Sequence, residues 1–170
     1  CPANNPLAGP GLALVGILRA LFGERHRSPL MDKIIFGPYR ARFAPRSPYN
    51  WISTDPEEVR LHETDPAMNY MFTLNGYAAL LRLMRSAHGR SAVPASNPAM
   101  PAVFLAGAED PCAGGEAAVA RSAEGLRGAG YADVSVKIYT GMRHEIFRAP
   151  GRDILYRDVL AFLDSTVGRA

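Results

Sequence analysis

The chain has 170 residues, of which 48% are hydrophobic, and its formal net charge is +3. This length and hydrophobic content suffice for one compact domain, while so small a net charge does not indicate a nucleic-acid partner. The two cysteines, Cys1 and Cys112, match no metal or redox spacing, so we expect a reduced, cytoplasmic protein without a disulfide framework.

The longest apolar stretch covers residues 7–18 and is broken by Gly9-Pro10-Gly11. Crossing a bilayer takes about 20 apolar residues, so we expect no transmembrane segment. The stretch also lacks a charged leader and a cleavage site, which argues against a signal peptide. Because the chain does not begin with Met, we expect it to be processed or to be a piece of a longer protein.

The first part of the chain predicts helices. An apolar helix is predicted over 12–22, where Gly23 ends it, and a helix that is apolar on all sides must be covered by protein or by an apolar ligand. Ser28 is a suitable N-cap for a second helix, which is predicted to run to Phe36 because Gly37-Pro38 follows.

The region that follows is predicted to be irregular over 38–50. Asp55-Pro56 begins another helix, since Asp caps free N–H groups and proline is tolerated in the first turn, and Thr64-Asp65-Pro66 interrupts it. Apolar residues recur at helical spacing over 74–87, and residues 89–101 are predicted to be a linker.

The pattern changes in the last third of the chain. Residues 102–106 form a short apolar run without alternation, which is typical of a strand buried on both faces of a parallel sheet. A helix over 113–126, a strand over 134–139 and a helix over 153–166 follow. This order indicates a parallel βαβ unit and the α/β fold class. Two parallel strands cannot cover their own faces and edges, so we expect them to belong to a larger sheet.

Asp110 and His144 lie where parallel sheets carry functional loops. Asp110 follows the first strand behind a turn that Gly107 permits, and His144 follows the second strand behind Gly141. Neighbouring strand ends would let the carboxylate reach one imidazole nitrogen, leaving the other to take a proton from a nucleophile. The alternative is that Asp110 caps the next helix and His144 is an ordinary loop histidine. The order of the two residues on consecutive strands favours the catalytic interpretation.

The third member of such a triad is not in the chain. None of its serines lies in a G-x-S-x-G elbow, so the nucleophile is expected upstream of residue 1. An N-terminal Cys1 nucleophile is disfavoured because Pro2 follows it. Neither His62-Glu63 nor His144-Glu145 is followed by a second histidine at metalloprotease spacing, and the glycines form no phosphate-binding loop, so we expect no metal and no cofactor.

Four segments resemble the serine aminopeptidase and monoacylglycerol lipase-like branch of the α/β-hydrolases, often labelled lysophospholipases. They are residues 106–111 (AGAEDP), 139–145 (YTGMRHE), 50–56 (NWISTDP) and 35–37 (IFG) with Phe43 following. The resemblance covers nearly the whole chain. It implies the C-terminal part of an α/β-hydrolase fold, with a mostly helical cap over residues 1–75 and the last part of the core over residues 76–170.

The resemblance also implies an activity. Asp110 would be the acid and His144 the base of a Ser-Asp-His triad that hydrolyses lipid-like acyl esters such as monoacylglycerol or lysophospholipid, without a cofactor. The expected partners are a small lipid-like ester and the N-terminal part of the same hydrolase, with no nucleic acid and with homo-oligomer formation left open. Without its nucleophile, this chain alone is expected to be inactive.

Two features depart from the family. Residues 146–151 (IFRAPG) stand where a polar Asn-Glu pair is expected, and the serine elbow and oxyanion-hole loop are absent. Two alternatives stay open: a non-catalytic α/β-hydrolase-like binding domain, and a relative of the haloalkane dehalogenases and epoxide hydrolases, which use an aspartate nucleophile. The apolar side chains of the first helix are expected to pack in the core rather than to line an acyl tunnel.

Overall fold

A computed structural model describes residues 6–43, 46–88 and 95–167. Its helices and strands are α1 (Ala8–Phe22), α2 (Pro29–Arg42), α3 (Pro56–Thr64), α4 (Leu74–His88), β1 (Ala102–Gly107), α5 (Glu116–Gly128), β2 (Val134–Tyr139), a short 3₁₀ helix (Ile146–Arg148) and α6 (Arg152–Val167). Cys1 and residues 89–94 of the predicted linker lie outside the described residues.

Helices α1 and α4 pack together and, with α2, enclose an apolar core. Val15 of α1, Met31 of α2 and Leu74 and Tyr77 of α4 are almost completely buried there. Helix α1 begins at Ala8, before the predicted start, because the first N–H groups of a helix need no partner within it and proline is therefore tolerated in the first turn.

The predicted caps are confirmed. Ser28 Oγ accepts a hydrogen bond from Met31 N at 3.3 Å and begins α2. Asp55 Oδ1 accepts one from Glu57 N at 2.9 Å and begins α3. Helix α1 ends at Gly23, whose φ of 84° is favourable only for glycine.

The predicted end of α2 at Phe36 is wrong, because the helix continues through Pro38 to Arg42. A proline inside a helix costs about 3 kcal/mol, so tertiary contacts must compensate. Within the helix, the Arg40 guanidinium pairs with Asp32 across the proline. Phe36 stacks between Trp51 and Phe72, which belong to other segments. This stacking forms only once the chain is folded, which is why the local pattern did not reveal it.

The outer face of α1 is not covered by the described residues. Ile17, Leu21 and Phe22 are exposed, although Val15 on the opposite face is buried. The expectation that the whole helix is covered therefore fails for this part of the chain.

Strands β1 and β2 are parallel, with Ala102 opposite Val134 and Gly107 opposite Tyr139. The α/β class is thereby confirmed. Helix α5 packs on one face of the strand pair through a cluster that includes Phe104, and α6 packs on the other through Leu105.

The expected full burial of β1 is not observed, because residues 102–105 are only half-buried. In the described residues, the sheet consists of these two strands alone, with one helix against each face, so its outer edges carry no further strand.

None of the helices in the described residues combines the length and the hydropathy that crossing a membrane requires. The division of the chain at residue 75 falls at the beginning of α4 and stays a prediction.

Candidate active site

The acid loop (residues 108–112) and the histidine loop (residues 140–145) follow β1 and β2 at the same edge of the sheet. Their backbones are joined, since Glu109 N donates a hydrogen bond to Met142 O at 3.0 Å. The two loops therefore lie side by side, as expected for neighbouring parallel strands.

Gly107 allows this close approach. A Cβ atom on this residue would overlap the carbonyl oxygens of Met142 and Arg143 in the histidine loop. The sequence predicted Gly107 as a turn residue, and Asp110 N does donate to Gly107 O at 3.1 Å. Its larger role is to let the backbones of the two loops touch.

The structure brings Asp110 and His144 together. His144 Nδ1 lies 3.1 Å from Asp110 Oδ2 and 3.2 Å from Oδ1. Asp110 is 8% exposed, and its Oδ1 also accepts a hydrogen bond from Cys112 N at 2.8 Å. The His144 side chain is 40% exposed. A fixed, buried acid thus holds one imidazole nitrogen while the ring stays accessible.

The environment favours the protonated imidazole. The hydrogen bond to Asp110 raises the pKa of His144 above its ordinary value of 6.5, partial burial opposes this, and the charges of Asp110 and Glu145 raise it further. With the Nδ1 proton donated to Asp110, the Nε2 atom of the neutral ring is an acceptor, which is the arrangement a general base requires.

The docking loop (residues 49–55) covers one side of the histidine loop. The Trp51 ring centroid lies 5.3 Å from that of His144, with the rings tilted by 45°. Glu145 N donates to Ile52 O at 2.9 Å. The segment NWISTDP thus places an aromatic ring beside the histidine and a helix cap behind it.

Arg143 of the histidine loop contacts both the docking loop and the acid loop. Its Nε donates to Glu109 Oε2 at 3.2 Å, and its guanidinium also donates to the carbonyl oxygens of Ser53, at 3.1 Å, and Asn50. The guanidinium carbon lies 4.2 Å from the Phe43 ring centroid. Sequence reasoning missed this role, although the residue stands next to His144.

We predict that Arg143→Met destabilises the protein by about 2 kcal/mol, because it leaves two backbone carbonyls and a carboxylate without their donor. It should also lower kcat/KM about tenfold, since Trp51 is then held less firmly against His144. Urea unfolding and ester hydrolysis measure the two effects. Arg121→Met, at an exposed position, is the control. Equal stability and equal kcat/KM of the two variants would show that Arg143 does not hold the docking loop against the site.

Residues 146–151, which depart from the family pattern, contact helix α3. Arg148 forms an ion pair with Glu58 of α3 at 2.8 Å, and Ile146 is buried. The segment that follows the histidine loop is thus also attached to the helical part of the chain.

A cavity of about 390 Å³ opens beside His144 and is walled largely by aromatic rings. The Phe36 ring stacks 6.3 Å from Trp51 and 6.2 Å from Phe72, so a continuous apolar surface leads away from the histidine. Tyr70 extends this wall. An apolar surface of this kind suits an acyl or hydrocarbon group.

One part of the cavity is polar. Arg40 pairs with Asp32 through two contacts, and its Nε atom is buried without a hydrogen-bond partner among the described residues. His62 faces the cavity with Nδ1 3.0 Å from the Glu58 carbonyl oxygen. Glu145 adds a negative charge, and the Arg40 guanidinium is already paired with Asp32.

The comparison with protein families identifies one that matches most of the chain. The model described as "Serine aminopeptidase, S33" matches residues 13–151. Membership of the serine aminopeptidase S33 family, which the sequence motifs predicted, is thereby confirmed.

Solved structures agree on the fold. A thermostable carboxyl esterase from Bacillus coagulans, in complex with glycerol, is 24% identical, with a TM-score of 0.83 over 98% of this chain and 55% of its own. A lipase in its open form is 26% identical, with a TM-score of 0.75 over 99% and 54%. The Paleococcus ferrophilus monoacylglycerol lipase is 17% identical, with a TM-score of 0.62 over 98% and 55%. The chain thus spans about half the length of these structures. It belongs to the serine aminopeptidase S33 family and has part of the α/β-hydrolase fold.

Proposed function

We propose that the full-length protein is a serine hydrolase that cleaves carboxylic esters, with its nucleophilic serine and oxyanion-hole loop upstream of residue 1. The observation that carries this proposal is the hydrogen-bonded Asp110–His144 pair, whose histidine lines an aromatic cavity. Family membership supports it, since hydrolases of this fold place the serine earlier in the chain than the acid and the histidine.

In this mechanism, Asp110 accepts the Nδ1 proton of His144 in a hydrogen bond and fixes the ring. The Nε2 atom of His144 takes the serine proton as the serine oxygen attacks the ester carbonyl, and then gives it to the departing alcohol. A water molecule then attacks the acyl-enzyme with the help of His144 in the same way, which releases the carboxylic acid product and restores the serine. Asp110 stabilises the imidazolium that forms in each step.

The pH dependence of kcat/KM tests this assignment. The base must be neutral, and its pKa is raised, so activity should rise with pH through a midpoint above 6.5. Asp110→Asn should move that midpoint to lower pH, because the hydrogen bond that stabilises the imidazolium is weakened. A midpoint that does not respond to this substitution would show that His144 is not the titrating base.

We further propose that the polar part of the cavity, beside Asp32 and Arg40, receives the alcohol part of an ester, and that this part is neutral and carries hydroxyl groups. Hydroxyl groups can donate to the Asp32 carboxylate, which lines the cavity together with its partner Arg40. A phosphate would find Arg40 already neutralised and Glu145 of the same sign. The proposal thus favours monoacylglycerol over lysophospholipid.

We expect kcat/KM for a monoacylglycerol to exceed that for a lysophosphatidic acid with the same acyl chain at least tenfold, a difference of about 1.4 kcal/mol. Asp32→Asn should reduce this ratio by roughly tenfold, because Arg40 then keeps an unpaired charge that attracts phosphate. The exposed Glu57→Gln is the control. A ratio that Asp32→Asn leaves unchanged would contradict the role of the pair.

A further inference from the structure

Cys112 lies beside the Asp110–His144 pair, and the proposed hydrolysis makes no use of it. Its thiol is partly buried and lies beside the Tyr39 hydroxyl. One ligand atom from each of Asp110, Cys112 and His144 lies within 4.8 Å of the other two. A carboxylate oxygen, a sulfur and an imidazole nitrogen therefore lie close together.

This set of donors matches Zn²⁺, which binds sulfur, imidazole nitrogen and carboxylate oxygen in tetrahedral sites. Bonds of about 2.0–2.3 Å place the ligand atoms of such a site roughly 3.3–3.6 Å apart. The imidazole and carboxylate atoms are already 3.1 Å apart. The sulfur lies within 4.8 Å of a carboxylate oxygen and an imidazole nitrogen, a separation that a rotation of the Cys112 side chain can shorten.

The surroundings also fit a metal with one open position. The Tyr39 hydroxyl can donate to the Cys112 sulfur after the thiol has lost its proton, as outer partners of metal ligands commonly do. The His144 side chain is 40% exposed and borders the cavity, so solvent can reach the imidazole ring. Three protein ligands with water in the fourth position are a common arrangement around Zn²⁺.

We propose that Asp110, Cys112 and His144 form an inhibitory Zn²⁺ site. On binding, the Cys112 thiol releases one proton to solvent, and the imidazole proton moves from Nδ1 to Nε2 while Nδ1 binds the metal. The Nε2 atom can then no longer take a proton from serine, and the Asp110 hydrogen bond is replaced by a bond to zinc. The inhibition rests on the proposed hydrolase function, whereas the binding does not.

Metal binding is therefore tested without hydrolysis. Calorimetric titration of the metal-free full-length protein with Zn²⁺ should show one site, and Co²⁺ in its place should give a thiolate-to-cobalt charge-transfer band. Cys112→Ser should weaken Zn²⁺ binding at least thirtyfold and abolish the band, whereas the surface variant His26→Ala should change neither. Equal Zn²⁺ affinity of Cys112→Ser and the unsubstituted protein, or the absence of the band, would overturn the site.

Hydrolysis is measured next, relative to the activity of each variant without metal. Zn²⁺ should inhibit the unsubstituted protein, EDTA should restore its activity, and Mg²⁺ should have no effect because it avoids sulfur ligands. Cys112→Ser should need at least thirtyfold more Zn²⁺ for the same inhibition. A protein that binds Zn²⁺ through Cys112 but hydrolyses no ester would keep the site and overturn the proposed function. Ester hydrolysis that saturating Zn²⁺ leaves unchanged would overturn the inhibitory role.

Discussion

His144→Ala is expected to lower kcat/KM for ester hydrolysis by the full-length protein by roughly 10⁴–10⁶-fold, because no other group then takes the serine proton. Initial rates with a chromogenic short-chain ester measure the loss. His26→Ala removes a histidine that stacks on Phe22 in the helical part, and it should stay within about twofold of the unsubstituted protein. Comparable activity of the two variants would contradict the assignment.

Asp110→Asn provides a second measure of the same pair. The amide does not stabilise the imidazolium and permits the wrong tautomer, so kcat should fall by about 10⁴-fold. Because Asp110 also accepts a hydrogen bond from Cys112 N, thermal unfolding must show that the variant is folded. The exposed Asp164→Asn on α6 is the matched control. A folded Asp110→Asn variant with full activity would show that the carboxylate has no role.

Gly107→Ala is expected to have the largest effect on stability, about 3–5 kcal/mol, because its Cβ would overlap two backbone carbonyl oxygens of the histidine loop. Backbone atoms cannot move aside as a flexible side chain can, so the two loops must separate. The hydrogen bond between Glu109 N and Met142 O would be lost with them. Activity should therefore fall together with stability.

A second glycine gives the control for this prediction. Gly125 lies inside α5 with open space around the position of a Cβ, so Gly125→Ala should stabilise the protein by about 1 kcal/mol. Urea unfolding followed by circular dichroism measures both variants. If Gly107→Ala unfolds at the same urea concentration as the unsubstituted protein, the close approach of the loops is not needed for folding.

The parts of the fold that were predicted correctly are those with local signals. Asp55 caps α3 through a neighbouring N–H, and the β-branched run of β2 needs no distant partner to be recognised. The predicted end of α2 was wrong because the helix continues through Pro38. Contacts of Phe36 with Trp51 in the docking loop and with Phe72, which precedes α4, help to hold it there. Such contacts depend on the tertiary structure, which a local pattern does not contain.

The approach of Asp110 to His144 was predictable for a related reason. Asp110 and His144 each follow a strand, and the parallel pairing of the strands brings them together. Arg143 was not predicted, because its acceptors, including the Ser53 carbonyl, lie far away in the sequence and carry no motif of their own. The approach of Cys112 to the pair was likewise invisible, because it depends on how the acid loop turns after β1.

The central claim is that the Asp110–His144 pair serves a serine nucleophile upstream of residue 1. Mass spectrometry of the full-length protein after reaction with a fluorophosphonate probe tests it most directly, since the probe modifies only an activated serine. We predict one adduct, on a serine flanked by glycines before residue 1, and no adduct in His144→Ala. A folded full-length protein without any modified serine, or one labelled equally in His144→Ala, would contradict the claim.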